Sequence, residues 1–231
     1  YPDLFAKTNQ KLLLEIPHDI KPADHGKSQY ALGLKYYVDK EYQTAAEYFR
    51  KAADAGYTDA QFSLALCFAS GCGVELDNTK AAEWFKKAAE AGHAEAQFNL
   101  ARFYEKGYGV EKDQAKAVEW YKKAAEQEFA PAQYNLASRY DNGCSVEKDE
   151  TKAAEWYKKA AEQGYYPAQY NLALCYDNGY GVEQDEAKAV EWYTKAAEAG
   201  HTEAQFNLAV CYENGSGVEK DETKAAEWYT K

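Results

Sequence analysis

The sequence predicts an all-α fold, a solenoid of stacked helix-turn-helix repeats, and three observations carry that prediction. Trp84, Trp120, Trp156, Trp192 and Trp228 stand 36 residues apart, and Gly71, Gly107, Gly143, Gly179 and Gly215 keep the same period. A fixed period of about 20 to 50 residues marks a stacked repeat. Within each period the apolar residues recur at helical spacing. One two-helix unit cannot bury both its faces, so the units must stack on one another.

The repeat beginning near Ala96 shows how one unit works. Leu100, Ala101 and Tyr104, with Ala96 and Gln97 one turn earlier, make the core stripe of a first helix. Gly107 ends it, because glycine tolerates the left-handed conformation of a helix C-cap. A linker, Tyr108 to Lys112, leads to Asp113, whose carboxylate suits the N-cap of a second helix. That helix is expected to bury Ala117, Trp120, Tyr121, Ala124 and Ala125, with Lys116, Glu119, Lys122, Lys123 and Glu126 in water. The tryptophan column reads as core.

Residues 1–22 do not match the repeat. Leu4, Phe5, Leu12, Leu13, Leu14, Ile16 and Ile20 make this N-terminal arm apolar. A capping segment over the first repeat is expected; the alternative is an arm that docks in a groove of its own chain or of a neighbouring copy. The solenoid occupies residues 23–231, about six repeats. The first is atypical: 19 residues separate Gln29 from Tyr48, against 23 between Gln61 and Trp84. The sixth starts near His201 and stops at Lys231 before its Ala-Ala-Glu-x-Gly ending, so a continuation is expected. The start at Tyr1 and the lack of methionine read as a processed or trimmed product. Two residues break the pattern. Glu128 stands where Gly56, Gly92, Gly164 and Gly200 end second helices, and Ser145 replaces a linker glycine. A local change of geometry is expected there.

The recurring phrases Ala-x-Ala-Gln-(Phe/Tyr)-Asn-Leu-Ala, Tyr-x-x-Gly-x-Gly-Val-x-x-Asp and Lys-Ala-x-Glu-Trp-Tyr-x-Lys-Ala-Ala-Glu-x-Gly closely resemble the Sel-one-like repeat. This family is related to the tetratricopeptide repeat and has a longer connection between its helices. The resemblance runs from about residue 25 to the end. It implies a right-handed superhelix that serves as an adaptor for proteins or peptides, with the first helices lining a concave wall.

Composition narrows the partners. The net charge of −11 argues against nucleic acid, which needs a basic patch, and mildly favours a basic or neutral protein. No apolar run is long enough to span a membrane, so no membrane insertion is expected. A homo-oligomer through the arm is the alternative assembly. Localisation stays open.

Catalytic and metal chemistry find little support. The acidic linker Asp177-Asn-Gly-Tyr-Gly-Val-Glu-Gln-Asp-Glu lacks the alternating ligands of a calcium loop. Gly107-x-Gly109 follows no strand and is no phosphate loop. Cys67, Cys175 and Cys211 share a packing column, while Cys72 and Cys144 fall in linkers, so the five cysteines form no disulfide framework. This departs from the cysteine-rich branch of the resembled family, for which penicillin binding has been proposed. His18, His25, His93 and His201 are scattered and suggest neither zinc nor a triad. No cofactor, metal or enzyme activity is expected.

The candidate site is a surface. Opposite the core centre, the first helices carry Leu34, Leu66, Arg102, Ser138, Leu174 and Val210, of which four are aliphatic where a solvated helix should be polar. Beside this column run Ser63, Asn99, Asn135, Asn171 and Asn207; on the flank lie Tyr30, Phe62, Phe98, Tyr134, Tyr170 and Phe206. Aliphatics to bury and amides to pair with backbone suit a peptide groove. The expected partner-binding residues are Leu66, Asn99, Arg102, Asn135, Ser138, Asn171, Leu174, Asn207 and Val210. Packing between repeats is the competing explanation, favoured for the aromatic column and evenly balanced for the other two.

Overall fold

The computed structural model describes residues 25–231, which hold twelve helices and no strand. The expected arm at residues 1–22 lies outside the described residues. The helices pair as α1 (His25–Val38) with α2 (Tyr42–Asp54) and α3 (Thr58–Ser70) with α4 (Asn78–Glu90), followed in the chain by α5 (Ala94–Lys106) and α6 (Gln114–Glu126). They continue as α7 (Ala130–Asn142) with α8 (Glu150–Glu162), α9 (Tyr166–Asn178) with α10 (Glu186–Glu198), and α11 (Thr202–Asn214) with α12 (Glu222–Tyr229). The chain forms two compact units, one ending at Trp120 and the other running from Tyr121 to Lys231.

The helix ends follow from local chemistry. Asp113 Oδ1 accepts the Lys116 backbone N–H at 3.0 Å, and Asp77, Asp149, Asp185 and Asp221 repeat the cap. At the other end Gly107 takes φ 75°, and its N–H reaches Phe103 O at 2.8 Å. The linker glycines are held tightly within each unit. A Cβ on Gly73 would collide with Tyr42 O, and one on Gly181 with Glu150 O. The local change of geometry expected at the two departures does not occur: Glu128 at φ 61° and Ser145 at φ 62° keep the left-handed backbone that glycine holds at the matching positions, at the cost of strain.

Each core repeats its neighbours. In the terminal unit Tyr121 and Tyr193 are fully closed, as are Leu136, Leu172 and Leu208; Phe49, Phe85, Leu64 and Leu100 do the same in the first unit. Burial of each such side chain stabilises by about 2 kcal/mol. Alanines at 117, 124 and 125 are buried and leave room for these large rings.

Here the tryptophan expectation needs correction. The tryptophans are half-buried, and the residue after each of the first four, Phe85, Tyr121, Tyr157 and Tyr193, fills the core instead. One residue turns a helix by about 100°, which swings the tryptophan to the rim. There a lysine one turn on covers its ring: Lys87 lies 3.7 Å from the Trp84 centroid and Lys159 4.0 Å from that of Trp156. Tyr104, expected in the core stripe, is also half-buried under Lys116.

A glutamine in each first helix ties one repeat to the preceding one. Gln97 Nε2 donates to Ala89 O at 3.0 Å in the first unit. Gln133, Gln169 and Gln205 donate to Ala125, Ala161 and Ala197 in the second, each at 3.2 Å. These bonds give a second donor to carbonyls that already accept a turn N–H, as Ala89 O does from Gly92 at 3.1 Å.

Candidate interaction surface

The outward columns are taken unit by unit. In the first unit Leu34, Ser63, Leu66 and Asn99 are buried, and Arg102 is half-buried with its guanidinium 5.9 Å from the Phe98 ring centroid. Asn99 Nδ2 donates to Glu95 O at 2.8 Å. Tyr30 Oη lies 3.4 Å from Ser63 Oγ, linking the first helices of adjacent repeats.

In the second unit Asn135, Ser138, Asn171, Leu174, Asn207 and Val210 are all half-buried. Asn135 Nδ2 donates to Pro131 O at 2.8 Å, the same back-bond that Asn99 makes. Asn207 faces Tyr170 and Tyr193: burial raises both phenol pKa values, and the Asn207 amide opposes each rise. Burial likewise raises Tyr157, which Ser138 faces and partly offsets. Ser138 and Asn207 therefore contribute to packing as well as lining the face. Asn142 and Asn178 cap their own helices, donating to Ser138 O at 2.8 Å and Leu174 O at 3.0 Å.

Acidic groups continue the same face toward the helix C-termini. Asp141 and Asp177 are half-buried and Glu213 is exposed; Tyr193 Oη donates to Asp177 Oδ2 at 3.0 Å. Each first helix of this unit thus carries an amide, a small or aliphatic side chain and a carboxylate at three-residue spacing, which turns by about 60° per step from the amide toward the second helix. Tyr166 adds aromatic surface, 45% exposed. That exposure was not foreseen. Tyr166 had a sequence signal, since other repeats place Thr58, Ala94, Ala130 or Thr202 there.

Two histidines have an unforeseen structural role. His93 Nδ1 accepts the Ala96 N–H at 3.2 Å, and His201 Nδ1 accepts that of Ala204 at 3.3 Å, so both cap first helices. The three thiols of the packing column are poor nucleophiles: burial pushes Cys67 and Cys175 up to about 12 and Cys211 to about 11. Among the described residues no His, Cys, Asp and Glu group could hold a metal ion, and no helix is long and apolar enough to cross a membrane.

The Sel1 repeat profile matches residues 26–57, 58–93, 94–129, 130–165, 167–201 and 202–231. The chain belongs to the Sel1 repeat family. A Sel1 repeat protein from Oxalobacter formigenes is 38% identical, with a TM-score of 0.81 over 87% of this chain and 80% of that one. A protective antigen of uropathogenic Escherichia coli with the same fold, c5321, is 34% identical with a TM-score of 0.87. The match covers all of this chain and 48% of that protein, so the chain spans about half its length. The immunity protein Pa5087 of Pseudomonas aeruginosa, 21% identical with a TM-score of 0.51 over 94% of this chain and 83% of that one, shares the fold. A search of curated proteins returned no match. Sel1 repeat proteins are in general non-catalytic scaffolds that bind proteins.

Proposed function

We propose that this Sel1 repeat chain is a non-catalytic adaptor whose first-helix face binds a protein or peptide segment carrying apolar and basic side chains. The observation that carries the reading is the line of Asn171, Leu174 and Asp177, followed in the next repeat by Asn207, Val210 and Glu213. Leu174 and Val210 offer apolar area to bury, and the carboxylates at the helix C-terminal ends favour a cationic group. Leu66, Asn99 and Arg102 form the corresponding face of the first unit. The net charge of −11 adds steering toward a basic partner.

The test is affinity capture from native extract, read by mass spectrometry, with the whole chain and a Leu174→Asp/Val210→Asp variant as baits. Both positions are half-buried, so the variant is expected to keep its helical circular dichroism. A partner held by the first bait and lost by the folded variant supports the reading. Identical capture by both removes the first-helix face from consideration.

A further inference from the structure

Away from the first-helix face, the second unit contains an open cavity of about 500 Å³. It is lined by the C-terminal ends of α6 and α8 and by the first turns of α7, and every lining residue belongs to that unit. Small-ligand sites span about 300–1,000 Å³. One wall is preformed. Gln133, 2% exposed, is held by its bond to Ala125 O at 3.2 Å and by Gln163 Nε2, which donates to its Oε1 at 2.8 Å. Half-buried Trp156 supplies an aromatic face.

The Trp156 ring already carries a cation, the Lys159 ammonium 4.0 Å from its centroid. That pairing is part of the repeat, since Lys195 covers Trp192 at 3.9 Å. Two residues set this place apart. Glu128 and Gln163 line the cavity where the next repeat has Gly164 and Ala199. Gln163 fixes the Gln133 wall, and Glu128 adds an exposed carboxylate with no ion-pair partner among the described residues. Glu126 and Glu162 also line the cavity. Their ion pairs with Lys122 and Lys158 are 3.9 Å long, between exposed side chains, and hold them only weakly. Both glutamates are the last residues of their helices, where the helix dipole is negative. Ring, unpaired carboxylate and two helix C-termini all favour a cation. A flat guanidinium uses them together: it stacks on the indole in place of the lysine and forks onto a carboxylate, which a compact ammonium cannot do.

We propose that this cavity is a second binding site, which takes the guanidinium of an arginine side chain presented by a protein partner. The adaptor reading enters only in naming a protein as the source of the arginine. The chemistry of the cavity is independent of the first-helix face.

The test follows the indole N–H signals of the whole chain by nuclear magnetic resonance, with Trp156→Phe assigning the Trp156 signal. The probe is the peptide acetyl-Gly-Arg-Gly-amide. Its citrulline counterpart keeps the planar end group and removes the charge, and agmatine supplies a guanidinium free of any peptide. The arginine peptide should shift the Trp156 signal saturably and leave Trp192 in place. Affinity should fall at least about tenfold for the citrulline peptide and about fivefold for Glu128→Gly, which restores the repeat's own residue. Glu128→Gln, which keeps the side chain and loses the charge, should weaken binding similarly and covers any change that glycine makes to the turn. A still Trp156 signal overturns the proposal, as do equal shifts of Trp156 and Trp192, equal binding of the citrulline peptide, or full affinity in both Glu128 variants. Agmatine binding with the peptide silent overturns the protein source. Leu174→Asp/Val210→Asp should bind the arginine peptide as the unaltered chain does, so failure of the first-helix face and failure of this site are read separately.

Discussion

Gln163 Nε2 donates to Gln133 Oε1 at 2.8 Å, completing a chain that runs on from Gln133 Nε2 to Ala125 O at 3.2 Å. Gln163 is the C-cap of α8. The corresponding cap of α10 is Ala199, and there Gln169 Oε1 is buried with no partner among the described residues. An unmade bond to a buried amide oxygen costs about 1–3 kcal/mol. Gln163→Ala should therefore destabilise the chain by about 1 kcal/mol, and Ala199→Gln should stabilise it by a similar amount. Urea unfolding checks both, and equal midpoints for all three proteins would refute the pairing.

Glu128 and Gly181 make a matched pair of backbone tests. Glu128 sits at φ 61° where related turns have glycine at 81–93°. Glu128→Gly should raise stability by about 0.5–1 kcal/mol, the left-handed strain relieved less the added freedom of the unfolded chain. Gly181→Ala should cost about 2–4 kcal/mol, because its Cβ meets Glu150 O in addition to the strain at positive φ. Thermal melts of the two variants should move in opposite directions.

His93 gives the fold a pH dependence with a fixed sign. Burial lowers its pKa, opposed by Asp59, with Nε2 3.7 Å from that carboxylate. Its Nδ1 must stay unprotonated to accept the Ala96 N–H. The folded-state pKa lies below the unfolded value of about 6.5, so this contribution is complete above that value. It is lost as pH falls through the folded one. Melts between pH 7.5 and 5 should show less loss for His93→Asn, whose amide caps without titrating, with an effect of about 1 kcal/mol. A variant that loses stability as steeply as the unaltered chain would contradict the cap.

Much of the fold was legible because six copies repeat each local signal. The glycine period and the aspartate caps could be read from residue types and spacing, whereas Glu128 and Ser145 were expected to change the turns and instead keep their left-handed backbone. Trp120 was misplaced because it and Tyr121 both border the apolar stripe, and a helical wheel ranks them by size. The histidine caps were missed because imidazole is an uncommon N-cap acceptor. For the candidate surface, periodicity picked out the columns but carried no information about their cover. Asn99 and Asn135 share a phrase and a hydrogen bond yet differ in exposure.

The measurement that bears most directly on the adaptor reading is calorimetric binding of peptides selected from a random display library on the whole chain. The titrations would compare three proteins: unaltered, Leu174→Asp/Val210→Asp on the first-helix face, and Lys122→Glu/Lys158→Glu on exposed second-helix positions. The account predicts at least about tenfold weaker binding for the first variant, near 1.4 kcal/mol, and little change for the second. Weakening by the lysine variant alone, with the Leu174 and Val210 changes silent, would contradict it and move the working surface to the second helices.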